Sequence, residues 1–102
     1  MVEKTDNTHP EEDKLVLKLY VSGMSPKSML AVENIKRLCK VHFKSFNLEI
    51  IDIYKNPMIA SKEQIVFSPS LVKLLPLPRK TLIGNFSNSK RVLDGLGFAY
   101  KE

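Results

Sequence analysis

Apolar and polar residues alternate from Leu15 to Val21 (LVLKLYV), with Leu15, Leu17, Leu19 and Val21 on one side and Val16, Lys18 and Tyr20 on the other. A period of two puts successive side chains on opposite faces, so this stretch is predicted to be a β-strand with one face fully buried. Gly23 breaks the strand. Ser25-Pro26 then supplies an N-cap followed by proline at the first helical position, where its missing N–H costs nothing. The helix is predicted to run from Pro26 to about Phe43, with Met29, Val32, Ile35, Cys39, His42 or Phe43, and Phe46 recurring at steps of three and four. Glu33 is placed to pair with Arg37 on its exposed side. After a short turn, LEIIDIY, Leu48 to Tyr54, is apolar on both faces except at Glu49 and Asp52, the pattern of a central strand covered on both sides. Two strands separated by one helix make a βαβ unit with parallel strands and a right-handed crossover. Asn56-Pro57 next opens a short peripheral helix, from Pro57 to about Val66.

The stretch FSPSLVKLLPLPRKTLIG, Phe67 to Gly84, is apolar but interrupted by Pro69, Pro76 and Pro78. Ser70 to Leu75 reads as a strand, with Arg79 to Gly84 a second one paired antiparallel to it through the Pro76-Leu77-Pro78 turn. It reads equally as a turn and a half of helix, because leucine and lysine favour helices and only Val72 speaks clearly for a strand. Propensity leaves the two open. Ser87 is the expected cap of a last helix with Val92, Leu93 and Leu96 at helical spacing, weakened by Gly95 and Gly97 at about 1 kcal/mol each relative to alanine.

The chain has 102 residues, 43% hydrophobic and 26% charged, which suits one globular α/β domain from residue 15 to 102 behind a polar N-terminal arm, residues 1 to 14. No run of about 18 apolar residues exists to span a bilayer, and MVEKTDNTHPEEDK is too charged for a signal peptide. A cytoplasmic protein without a membrane partner is the expectation. The single cysteine, Cys39, excludes an intramolecular disulfide and a multi-cysteine zinc site, and its place is in the core. The net charge of +5 is scattered along the chain, with basic pairs only at Arg79-Lys80 and Lys90-Arg91, so a nucleic-acid partner is not expected.

No convergent set of catalytic groups stands out, and neither an enzyme nor a cofactor site is predicted. His9 lies in the arm and His42 on a helix beside Phe43, too far apart in the pattern for a metal site. Glu11, Glu12 and Asp13 read as a solubilising arm. Gly23 to Ser28 lacks the spacing of a phosphate loop, and a capped helix start explains it. Met24, Met29 and Met58 read as core or adaptable-surface residues.

The order β-α-β-α-β-β-α, with a Ser-Pro bond entering the third strand, resembles the thioredoxin fold, in which that proline is typically cis. Where thioredoxins carry Cys-x-x-Cys at the start of the first helix, aligning the motif's proline with Pro26 puts Met24 and Lys27 at the two sulfur positions. Thiol–disulfide exchange needs an attacking and a resolving thiol, so that chemistry is excluded. The segments LVLKLYVSG, SPKS, IIDIYKNP, SPSLVKLLP and IGNFSNSKRVLDGL, agreeing in order and spacing from Leu15 to Tyr100, resemble the circadian KaiB family more closely.

That resemblance implies a small non-enzymatic regulator that docks on a KaiC-type RecA-like ATPase, in circadian or stress-related regulation. It also implies a homo-oligomer, dimer or tetramer, and a C-terminal half able to change between a resting fold and a thioredoxin-like one. Pro69, Pro76, Pro78, Gly84, Gly95 and Gly97 are the positions it assigns to the fold change. Lys73, Arg79 and Lys80 are its candidate partner-binding residues. Lys73, Pro76, Pro78, Gly84, Ser87, Asn88 and Gly95 match the family pattern. The chain departs from it at Leu77, where a third proline is common, at Asp13 and Glu49, where basic residues are usual, and at Gly97, where an aspartate is usual. An interaction domain of the same fold for another signalling partner, such as a sensor kinase, is the alternative.

Overall fold

The computed structural model describes residues 14–65 and 69–98. The arm with His9, Glu11, Glu12 and Asp13, the Ser68–Pro69 bond and Val66 lie outside the described residues or depend on residues that do. Four strands, β1 (Leu15–Val21), β2 (Phe46–Asp52), β3 (Ser70–Leu75) and β4 (Lys80–Ile83), form one sheet in the order β2-β1-β3-β4. Three helices, α1 (Pro26–His42), α2 (Pro57–Lys62) and α3 (Ser89–Leu96), complete the chain. β2 runs parallel to β1, while β3 is antiparallel to both β1 and β4. The C-terminal half is thus β-β-α, and the segment whose propensities left strand and helix open is a strand.

Alternation in β1 builds the larger core. Leu15, Leu17, Leu19 and Val21 pack with Ala31, Ile35, Leu38 and Cys39 of α1 and with Val92, Leu93 and Leu96 of α3. The other face is thinner: Tyr20, Ile51 and Val72 are covered by Ile59 of α2 and by Ile53, Ile65 and Leu74. α1 turns Ile35 and Cys39 inward with Val32 and Phe43 partly buried beside them, as the spacing predicts, and adds small and polar residues to that face. Ser28, Ala31, Asn34, Ile35, Leu38 and Cys39 are buried, whereas Met29 is 52% exposed. Small and polar residues occupy this face because it meets loops as well as the sheet. The Ser28 hydroxyl accepts from the Ser22 N–H at 3.0 Å, and Asn34 donates to the Asn85 carbonyl at 2.8 Å. Arg37 donates to the Asn34 side-chain oxygen at 3.3 Å, a contact the expected Glu33 pairing did not anticipate.

The helix ends follow local chemistry. Ser25 caps α1 by accepting from the Ser28 N–H at 3.2 Å, and Pro26 stands in its first turn. Ser25→Ala is expected to lower stability by about 1 kcal/mol, read as a lower denaturant midpoint at unchanged slope. α3 is capped by Asn88, whose side-chain oxygen accepts from the Arg91 N–H at 3.1 Å, and not by Ser87. Gly97 lies beyond the helix with φ +97°; its N–H reaches the Asp94 carbonyl and the Phe98 N–H the Leu93 carbonyl. This pair of bonds is a Schellman stop, so Gly97 ends α3 at no cost to it. Gly95 does lie within α3, and a Cβ there would stand 2.7 Å from a Leu82 methyl. The missing side chain lets α3 sit directly on β4.

Two strand boundaries correct the pattern reading. β2 begins at Phe46 and ends at Asp52, two residues early, and it is an edge strand with Asn47, Glu49 and Ile50 exposed. Its apolar residues serve both layers, Phe46 and Leu48 one core and Ile51 the other, which mimics the signature of a central strand. It stops at Asp52 because the Asp52 carbonyl accepts from the Lys55 and Asn56 N–H groups, turning the chain. α2 stops at Lys62, short of Val66, where Glu63 caps it and Gln64 takes φ +59°.

Candidate partner-binding surface

The end of the sheet where β1 gives way to α1 carries an exposed loop on a rigid footing. One Asp52 carboxylate oxygen accepts from the Gly23 N–H at 3.0 Å and from the Tyr54 N–H at 2.9 Å, tying the β1–α1 loop to the end of β2. Gly23 has φ +62°, and a Cβ there would lie 3.2 Å from the Tyr54 ring, so the ring lies on the glycine. Met24 and Tyr54, which adjoin this clamp, and Met58 in α2 are each more than 70% exposed. Large apolar side chains held at a surface are the usual material of protein contacts. Sequence reading placed Met24 and Met58 in the core or on an adaptable surface, and Tyr54 carried no signal before the fold was known.

The three basic candidates do not form one patch. Arg79 and Lys80 are exposed, Arg79 reaching Glu63 at 3.4 Å in a surface ion pair. Lys73 is no rim cation: it is 2% exposed, because β3 lies inside the sheet and its pleat aims this side chain toward the end of α3. There its ammonium donates to the Leu96 carbonyl and lies 5.0 Å from the Phe98 ring centroid. Burial lowers the Lys73 pKa, with the charge on Lys80 adding to the effect.

The positions assigned to a fold change cluster in the C-terminal half. The Leu75–Pro76 and Leu77–Pro78 bonds are cis, joining β3 to β4, while the Pro69 carbonyl accepts from the Gly84 N–H at 3.3 Å. Gly84 has φ +140°. Beyond it Phe86 is buried at φ +63°, a conformation a bulky residue rarely adopts, held by burial in the core and by the Asn34–Asn85 bond. Phe86, Asn88 and Arg91 line an open groove of about 390 Å³ between this loop and α3.

Among the described residues no group of three or more His, Cys, Asp and Glu could hold a metal ion. His42 is half-buried in the last turn of α1. Burial pushes the Cys39 thiol up to about 11. At pH 8 roughly a thousandth of it is thiolate, so Cys39 is expected to resist an aromatic disulfide reagent in the native protein and to react completely after unfolding in guanidinium. No helix among the described residues is long and apolar enough to cross a membrane.

A four-stranded mixed sheet with helices on both faces, in a chain with a single cysteine, defines a thioredoxin-like fold without a dithiol. Solved structures agree on the fold: chloroplastic thioredoxin z superposes with TM-score 0.69 at 14% identity, covering 94% of this chain and 87% of its own. The N-terminal domain of Synechococcus elongatus SasA superposes with TM-score 0.66 at 24% identity, covering 82% and 84%.

The KaiB domain family matches residues 18–98, and the chain belongs to that family. The circadian clock oscillator protein KaiB of Synechococcus elongatus is 41% identical over 88 residues, 85% of this chain and 86% of its own length. That of Thermosynechococcus vestitus is 39% identical over 94 residues, 91% and 87%.

Proposed function

We propose that this chain is a non-enzymatic regulatory protein that docks on a KaiC-type RecA-like ATPase. Membership of the KaiB family, whose curated members are named as circadian clock oscillator proteins, carries the reading. The exposed apolar side chains Met24, Tyr54 and Met58 and the exposed cations Arg79 and Lys80 support it as contact material. Lys73 acts from inside, through the end of α3 that its ammonium touches. Rearrangement of the C-terminal half at Pro69, Pro76, Pro78, Gly84, Gly95 and Gly97 gates the docking, so the apparent affinity is reduced by the fraction of chains in the competent form. In isolation the chain is a homo-oligomer, dimer or tetramer.

Size-exclusion chromatography with light scattering tests this, on the protein alone and after long incubation with a KaiC-type ATPase and nucleotide. Entry into a large complex, weakened by the double reversal Arg79→Glu and Lys80→Glu, is the expected result. Protein that never enters the complex overturns the reading and favours an interaction domain for another signalling partner, such as a sensor kinase.

A further inference from the structure

Lys73 is the one Lys, Arg, Asp or Glu among the buried residues described. A buried charge is normally met by a counter-charge, and among the described residues none faces it. From β4 the residue opposite is Lys80, a like charge. From β1 it is Leu17. The acid of α3, Asp94, is exposed and turned to Lys90 at 3.4 Å. What the ammonium does have comes from one element: the Leu96 carbonyl, at the negative end of the α3 dipole, and the Phe98 ring just past it.

We infer that Lys73 makes the docking of α3 on the sheet conditional, so that α3 is the element released first, with the ammonium returning to water as it leaves. Three features fit this. The compensating groups all belong to the α3 end, so they and the desolvation cost appear and vanish together. One carbonyl and one ring are a weak substitute for hydration of a group with three N–H donors. The rest of the α3 attachment is modest: Val92, Leu93 and Leu96 inward, with Gly95 lying bare on Leu82. Release uncovers apolar surface on Leu71 and Leu82 while β1 keeps its pairing with both neighbours.

The inference does not depend on which partner the protein binds. Native-state hydrogen exchange at pH 7 tests it on the free protein, comparing α3 amides from Val92 to Leu96 with β1 amides from Leu17 to Tyr20. In the parent protein α3 is expected to exchange well ahead of β1. Lys73→Met keeps the length of the side chain without the charge, and Lys73→Gln keeps a neutral donor for the Leu96 carbonyl. Both are expected to slow α3 exchange roughly tenfold, as when a buried charge gives way to a neutral isostere. Should the methionine variant fail to fold, the glutamine variant decides. Protection of α3 equal to that of β1 in the parent, or unchanged or faster α3 exchange in the folded variants, overturns the inference.

Discussion

Leu19→Ala is expected to lower the unfolding free energy by about 3 kcal/mol, within the range for buried leucine truncation, and to shift the denaturant midpoint without changing the slope. Leu19 is fully buried in the strand that pairs on both sides, and it lies in the cluster shared by α1 and α3. Neither helix can collapse onto the vacated volume without leaving the other. Since small domains are stable by only about 5–15 kcal/mol, the variant forfeits a large share of the total. The contrast is Leu30→Ala on the outer face of α1, where the side chain is 41% exposed and a change within about 0.5 kcal/mol is expected. Equal losses at the two positions would mean that α1 does not dock through the face seen here.

Asp52→Ala has the second-largest expected effect, a loss of about 2 kcal/mol, because one carboxylate oxygen serves two backbone donors. The loss should be local as well as global. With the clamp gone, the Gly23 and Tyr54 amides have no partner there, and their exchange should accelerate more than that of Leu17 to Tyr20. Asp52→Asn, which retains an acceptor oxygen without the charge, should recover part of the loss. If it recovers all of it, the clamp is a neutral hydrogen-bond pair and the charge is dispensable. The same variants bear on docking, since Met24 and Tyr54 flank this clamp.

Several elements were legible because their signals are local. The alternation from Leu15 to Val21 needs only the pleat, and the Ser25-Pro26 start of α1 needs only a side-chain oxygen and a fixed φ. The absence of a second cysteine rules out dithiol chemistry before any coordinate is known. The misreadings of Lys73 and Tyr54 have a different source, in what lies across the fold. Lys73 has the composition of a surface residue, and only its place on β3 opposite the end of α3 turns it inward. Tyr54 became part of a candidate surface once Gly23 was found beneath its ring.

The candidate surface was therefore half legible. Arg79 and Lys80, made candidates by the family resemblance, are exposed, but Met24, Tyr54 and Met58 were not predicted as contact residues, because exposure of an apolar side chain is decided only by the packing around it. Ser70 to Leu75 shows the same limit in backbone form. Leucine and lysine make the segment a fair helix on its own, and it is a strand because β1 offers it a ladder on one side and β4 on the other. Local order in this chain, namely β1, the start of α1 and the Asn56-Pro57 opening of α2, follows from neighbours in sequence. The edge position of β2, the strand state of β3 and the burial of Lys73 were settled by pairing and packing between distant segments, because hydrogen bonds between strands and the desolvation of a charge exist only once those segments meet.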